Sequence, residues 1–307
     1  MFDTIKLKAK FITIDPIILQ NLQAKSTTFL APETGQLRTT YTIKDALLPS
    51  ITYYEYSQTL SIQVSIPKFL YGNNVILIKE SDIHSFFQRL HERLYELFHI
   101  HIQTEDWKDT ERVDVCWNFP KNDNLSSYIK ELNSIRLPFT KPSSYGHSET
   151  AVHSNKSKRI CFYNKQQECI DHKEPQHIIE QATGLLRMEI KSSYIEMKNY
   201  SSQRQAVDLL TKDFFEYITK RVLSKISLSS HIEGLTLEWL QSQPYSISQI
   251  ESMLGFHSLQ TYLNESELKQ LYTSSTYGNK KKLAKQFQFP SDQSLEPLTI
   301  DYSNISY

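Results

Sequence analysis

Four segments of the chain alternate polar and apolar residues with the period of a β-strand, and their polar residues are an unusual choice. They are Arg-Val-Asp-Val-Cys-Trp-Asn-Phe at 112–119, Ser-Glu-Thr-Ala-Val-His at 148–153, Ser-Lys-Arg-Ile-Cys-Phe-Tyr-Asn-Lys at 157–165 and Gly-Leu-Leu-Arg-Met-Glu-Ile-Lys at 184–191. Successive side chains of a strand point to opposite faces. Arg112 and Asp114 therefore oppose Val113, Val115 and Trp117, and Glu149 and His153 oppose Thr150 and Val152. Arg159 and Tyr163 oppose Ile160 and Phe162, while Arg187 and Glu189 oppose Leu186, Met188 and Ile190. A half-buried sheet usually turns a mixture of Thr, Ser, Lys and Gln to solvent. A face built from acids, arginines, a histidine and a tyrosine points instead to chemistry.

Asp114, Glu149 and Glu189 are hard oxygen donors of the kind that hold Mg²⁺ or Mn²⁺. Tyr163 becomes a nucleophile only with help, because a phenol with a pKa near ~10 is almost fully protonated at neutral pH. Lys165, two residues on, is a cation placed to assist. The competing assignment is a solvated face on which the acids and arginines form surface ion pairs.

At 307 residues and 39% hydrophobic content, the chain is long enough for one large domain or two smaller ones around a real core. No stretch approaches the ~18 to 20 apolar residues needed to cross a bilayer, and the start has no signal-peptide order, so a cytoplasmic location is expected. Cys116, Cys161 and Cys169 have no paired spacing that would indicate a zinc site or a disulfide framework. With 34 basic and 34 acidic residues the chain does not coat nucleic acid through bulk charge. Contact with DNA then falls to local patches: Lys156, Lys158 and Arg159 before the tyrosine, and Lys280, Lys281, Lys282 and Lys285 near the C-terminus.

Alternation predicts strands over 2–14, with Lys6, Lys8 and Lys10 on one side, and over 38–43, 51–56 and 60–66. Helical spacing of Phe86, Phe87, Leu90 and Leu94 predicts a helix over 80–98, and a second falls at 125–133. A polar loop is expected over 138–147, a hairpin turn at 154–156, and a polar segment with Pro175 over 164–181. Beyond Lys191 the pattern turns helical, at 204–225, 235–240, 247–254 and 265–272. The expected division is a catalytic domain over 1–200, a helical region over 201–288 that holds DNA, and a poorly ordered tail over 289–307. Residues 246–262 read as helix, turn at Gly255, helix, a helix-turn-helix pattern.

Several short motifs in one order carry a family resemblance: Met-Phe-Asp-Thr-Ile-Lys-Leu at the start, Tyr-Gly-Asn-Asn-Val before 76, Arg-Val-Asp at 112–114, Ser-Glu-Thr-Ala-Val at 148–152, Phe-Tyr-Asn-Lys at 162–165 with Glu168, and Gly-Leu-Leu-Arg-Met-Glu at 184–189. Across about residues 1 to 200 the chain resembles the gene II/X replication initiators of filamentous phages and plasmids, which are related to the Rep-trans plasmid initiators. The resemblance implies an α+β fold with a largely antiparallel sheet, helices on one face and a helical C-terminal region. It also implies a rolling-circle initiator that nicks and rejoins single-stranded DNA. Tyr163 would then be the nucleophile, leaving a 5′-phosphotyrosine and a free 3′-OH. Asp114, Glu149 and Glu189 would hold Mg²⁺ or Mn²⁺, Lys165 would stabilise developing charge, and Arg112 and Arg187 would orient the acids or clamp phosphate. The implied partners are origin DNA, a host helicase and polymerase, and a second copy of the chain, with no membrane.

Two alternatives stay open in the sequence. His99-Ile-His101 has the His-hydrophobic-His pattern by which many rolling-circle nucleases bind metal, which would make Asp114 accessory. A non-catalytic DNA-binding protein on the same scaffold would carry the same alternation.

Overall fold

The computed structural model describes residues 1–121, 124–145, 149–228, 235, 237–287 and 295–305. Its contacts divide the chain into one unit of 1–227 with 297–307 and a second of 228–296.

The first unit is organised by β1 (Phe2–Ala9), whose odd positions Ile5, Leu7 and Ala9 are fully buried while Lys6 and Lys8 face the other way. A short α1 (Pro16–Asn21), capped by Asp15, leads into the ribbon of β2 (Lys25–Ala31) and β3 (Gln36–Ile43), followed by β4 (Ser50–Tyr54) and β5 (Thr59–Ser65). Then come α2 (Ile66–Tyr71), which ends on the left-handed Gly72, and α3 (Ser81–Phe98). The second half of the unit supplies β6 (Arg112–Pro120), α4 (Leu125–Ser134), β7 (Lys141–Tyr145), β8 (Thr150–Ser154), β9 (Arg159–Asn164), α5 (Lys165–Asp171), α6 (Gln176–Gln181) and β10 (Leu185–Lys191). Next follow α7 (Tyr194–Tyr200), α8 (Ala206–Leu209) and α9 (Lys212–Leu223).

All ten strands join one antiparallel sheet in the order β2-β3-β4-β5-β1-β6-β10-β9-β8-β7. β6 and β10 are neighbours in its interior, and their apolar residues Val113, Val115, Phe119, Leu186, Met188 and Ile190 are buried on one face. α9 covers that face: Phe215 packs edge-on against Phe2 and beside Trp117. Burying such a ring contributes about 1.5–3 kcal/mol, so the helix and the apolar parity of the strands stabilise one another. α4 lies over β8 on the same side, where His153 is buried with its Nε2 2.8 Å from the Leu132 carbonyl.

The second unit is helical: α10 (Leu237–Ser242), α11 (Ile247–Tyr262), α12 (Glu265–Leu271) and α13 (Ser274–Gln286). Ser246, Asn264 and Thr273 cap the last three through their side chains. Phe256, Leu268 and Tyr277 form one small core and Ile250, Met253 and Phe287 another.

The α+β class and the helical C-terminal region are as expected, and several local expectations are corrected. The polar loop at 138–147 contains β7, and its residues 146 and 147 lie outside the described residues, as does Ser148. The polar segment at 164–181 folds as α5 and α6, with Pro175 as the N-cap residue of α6 rather than a breaker inside it. No turn interrupts α11 at Gly255: capped by Ser246, the helix runs unbroken to Tyr262. The compact units do not part near residue 200, because α8 and α9 belong with the sheet. Of the tail, 289–294, 306 and 307 lie outside the described residues; Leu298, Ile300 and Ile305 are buried, and the Tyr302 hydroxyl is 2.9 Å from Thr219 Oγ1.

Candidate active site

Register decides what the open face of the sheet presents. Across β9 and β10, Tyr163 lies opposite Arg187, Cys161 opposite Glu189 and Arg159 opposite Lys191. Across β10 and β6, Arg187 lies opposite Asn118 and Lys191 opposite Asp114. These residues share one parity and one face, and a cavity of about 610 Å³ opens over it. Asp114, Glu149, Tyr163 and Glu189 all line that cavity, together with Arg112 and Arg159.

Two expectations about β8 are corrected. Thr150 lies opposite Tyr163 and Val152 opposite Cys161, so these, not His153, share the face of the tyrosine. His153 is on the α4 side, where burial lowers its pKa. Glu149 precedes the strand and reaches the cavity by another route. Its backbone carbonyl accepts from Asn164 N–H at 3.2 Å, and its Oε2 accepts from Asn164 Nδ2 at 3.0 Å. Asn164 also caps α5, its Oδ1 accepting from Gln166 N–H and Gln167 N–H. One side chain thus ends β9 just after Tyr163, starts the helix at Lys165 and holds Glu149.

The Tyr163 hydroxyl donates to Glu189 Oε1 at 2.5 Å. Burial, with the Glu189 charge adding to it, pushes the phenol well above its ordinary range. Burial likewise pushes the Glu189 carboxyl up; Arg187 opposes that shift and Asp3 adds to it. Arg187 is wholly buried, with Nη1 donating to Asn118 Oδ1 at 2.9 Å and Nε 3.5 Å from Glu189 Oε1. It therefore underlies Glu189 and does not reach the cavity surface. Arg112 holds Asp114 in a forked pair, its Nε 2.9 Å from each carboxylate oxygen. Burial nonetheless raises the Asp114 pKa against the pull of Arg112.

Lys165 is also fully buried. Its ammonium donates to Glu168 Oε2 at 2.7 Å and Asn74 Oδ1 at 2.9 Å, and lies 5.9 Å from the centre of the Tyr163 ring. Its charge is thus committed to Glu168 and neighbours the phenol without a hydrogen bond to it. Of the basic run before the tyrosine, Lys156 is exposed in the turn that Asn155 organises, Lys158 pairs with Glu196 of α7, and Arg159 lines the cavity.

The structure keeps His99 and His101 apart from this cavity. His99 is the left-handed C-cap of α3, and His101 stacks on Tyr95 with its Nδ1 3.3 Å from His91 Nε2. Neither lines the cavity that holds Tyr163. Asp114, Glu149 and Glu189 match a hard divalent ion in chemistry, but each already has a protein partner. Among the described residues no three His, Cys, Asp or Glu lie close enough together to hold a metal ion. Carboxylates of this kind suit the open arrangement usual for Mg²⁺, in which one or two of them share the ion with water and substrate phosphate.

Strand alternation left several site residues unmarked. Thr150 stood on the wrong side because Glu149 was counted as part of its strand, and Gln167 and Asp171 enter from α5, which the polar composition hid. Asp3 is buried, with its Oδ1 accepting from Ser65 Oγ at 2.6 Å. A register shift between Phe2 and Ile5 breaks the parity that would otherwise place it among the apolar residues.

The fold and the cavity together define an α+β protein with a tyrosine-carboxylate pair on the open face of an antiparallel sheet. The family of replication-associated proteins defined by the N-terminal part of the phage gene II protein matches residues 33–212, more than half of the chain, and the chain belongs to this family of replication initiators. The match takes in Asp114, Glu149, Tyr163, Lys165, Arg187 and Glu189. No curated protein matches the chain.

Proposed function

We propose that the protein initiates rolling-circle replication by nicking and rejoining single-stranded origin DNA through Tyr163. The observation that carries this reading is the Tyr163–Glu189 hydrogen bond inside a cavity large enough for a phosphodiester. A buried phenol is a poor nucleophile until a base takes its proton, and Glu189 is the group in contact with that proton.

In this reading Tyr163 Oη forms a bond to the phosphorus, its proton passes to Glu189, and the bond from phosphorus to the 3′ oxygen breaks. The 3′ oxygen takes a proton from water. The products are a 5′-phosphotyrosine and a free 3′-OH, and the retained ester allows the reverse reaction to close the nick. Arg187 orients Glu189 from below and its charge favours the phenolate, while Lys165 is tied to Glu168 and Asn74 beside the ring. Arg159 and Arg112 face the cavity and suit the phosphate oxygens. One or two of Asp114, Glu149 and Glu189, with water and substrate phosphate, would hold Mg²⁺ or Mn²⁺, which would supply Lewis-acid polarisation of the phosphate when bound.

The helical unit serves DNA binding in this proposal, through Lys282 and Lys285. Both are exposed and have no ion-pair partner among the described residues. Lys280 and Lys281 are instead engaged within the unit, with Ser252 and Glu265. A host helicase and polymerase, a homodimeric partner and a cytoplasmic location complete the reading. Among the described residues no helix is long and apolar enough to cross a membrane.

The test is incubation with single-stranded origin DNA and Mg²⁺ or Mn²⁺, followed by denaturing electrophoresis. A covalent adduct that disappears in Tyr163→Phe and on chelation supports the reading. Tight binding with no adduct would establish a DNA-binding module instead.

A further inference from the structure

A second groove, of about 770 Å³, lies on the same open face beside the tyrosine cavity, and Arg112 and Lys191 line both. Its cations are Lys6, Lys8, Lys10, Arg112, Lys191 and Arg204; its carboxylates are Asp109 and Glu111. We propose that this groove binds the sugar-phosphate backbone of the single strand that flanks the phosphate attacked by Tyr163. The proposal rests on the reading of the tyrosine cavity as the cleavage site.

Three features of the groove support it. The first is spacing: Lys6 and Lys8 alternate along β1, so their Cα atoms are separated by about 6.8 Å, and Lys10 follows just beyond the strand end. That separation is comparable with the distance between successive phosphates of an extended single strand.

The second is the way the charge is held. Glu111 accepts from both Lys6 and Lys8 at 2.6 Å. Asp109 accepts from Lys10 at 2.6 Å and from Arg204 at 2.9 Å. Each carboxylate thus positions two cations and neutralises one, leaving net positive charge in a fixed array. Burial works to raise the Glu111 carboxyl, and the hydrogen bonds from its two lysines outweigh it and hold it below its usual range. These anions therefore remain ionised clamps across the working pH range. Lys191, opposite Asp114 at the junction of the two cavities, has no ion-pair partner among the described residues.

The third is the neutral lining. Ser57, Thr59 and Gln63 offer hydrogen-bond donors to sugar or phosphate oxygens. Tyr54 and Tyr194 bring aromatic faces, and Tyr194 is half exposed beneath the Arg204 guanidinium, 4.3 Å from its ring centre. A positively charged groove that also carries aromatic rings is what single-stranded nucleic acid requires, since every base has a stacking face.

The experiment measures binding of a fluorescent (dT)20 oligonucleotide as a function of salt, in the Tyr163→Phe background so that no covalent trapping contributes. Lys8→Gln/Lys10→Gln should weaken binding several-fold and flatten the dependence of log K on log salt by about 0.7 for each phosphate no longer neutralised. Lys8→Arg/Lys10→Arg should retain the parental slope, and Lys44→Gln/Lys130→Gln, exposed elsewhere on the same unit, should leave it unchanged. Photocross-linking of iodouracil-substituted oligonucleotide should label peptides containing Tyr54 or Tyr194. A slope in Lys8→Gln/Lys10→Gln equal to that of the Lys44/Lys130 control, or labelling confined to other peptides, would overturn the proposal. Adduct formation by the parental protein is read separately, so failure of the tyrosine reading and failure of the groove give different results.

Discussion

The Tyr163 hydroxyl reaches Glu189 diagonally across the β9–β10 ladder, with Oη 2.5 Å from Oε1, although the residue directly opposite Tyr163 is Arg187 and the one opposite Glu189 is Cys161. The buried Arg187, directly opposite Tyr163 and two residues before Glu189 on β10, has its Nε 3.5 Å from the same carboxylate oxygen. A tyrosine, an acid and an arginine are thereby joined through one oxygen atom. In the proposed reaction Glu189 serves as the proton acceptor of Tyr163.

That relationship separates two variants. Tyr163→Phe should abolish the covalent adduct while leaving oligonucleotide binding intact. Glu189→Gln keeps the acceptor oxygen and loses the base, so adduct formation should slow by roughly 10²- to 10⁴-fold. Single-turnover adduct kinetics, beside a binding isotherm for each variant, check both.

The pH dependence follows from the sign of the Glu189 shift. Only the ionised carboxylate accepts the proton, and burial raises its pKa above the ordinary value of 4.5. Nicking should therefore rise with pH through an inflection above that value, and at pH 4.5 most of the activity should already be lost. Arg187 favours the ionised form, so Arg187→Gln should move the inflection upward. Initial rates of adduct formation across pH, for both proteins, provide the measurement.

Arg187→Gln should also cost stability. Removing one member of a buried ion pair strands its partner, at about 3–5 kcal/mol, whereas exposed pairs contribute about 1 kcal/mol or less. Arg38→Gln, which breaks a longer and more exposed pair with Glu33, is the comparison. Urea denaturation of the two variants should give clearly different midpoints.

The sequence made the centre of the site legible and left its margins obscure, for physical reasons that particular residues show. β6, β9 and β10 are buried on one side and polar on the other, so alternation alone places Asp114, Tyr163, Arg187 and Glu189 on one face. Parity fails where a strand begins or bulges. Glu149 precedes β8 and is held by Asn164, and the register shift in β1 displaces Asp3. Helices α5 and α6 escaped because their apolar residues are few, and their buried positions, Cys169, Ile178 and the adjoining Ala182, form a small cluster with Val75 from a distant part of the chain. The turn assigned to Gly255 shows the converse error. Glycine permits a break, but the Ser246 cap and the burial of Ile250, Met253 and Phe256 along one helix override it.

The lysine run of α13 provides the last prediction. Four lysines are close in sequence, yet the helix sends them to different tasks. Lys280 donates to Ser252 and lies 5.8 Å from the Phe256 ring centre, so it packs against the small core of the helical unit. Lys281 pairs with Glu265 at 2.8 Å and so ties α13 to the first turn of α12. Lys282 and Lys285 project outward, three residues apart on the exposed side of the helix. Lys282→Gln/Lys285→Gln should lower affinity for duplex DNA and reduce the salt slope by about 0.9 for each phosphate no longer neutralised, with no change in melting temperature. Lys280→Gln should do the reverse, lowering the melting temperature of the full chain while leaving the salt slope near that of the parent. If both variants changed binding equally, the run would act as bulk charge, and the division of labour along α13 would be wrong.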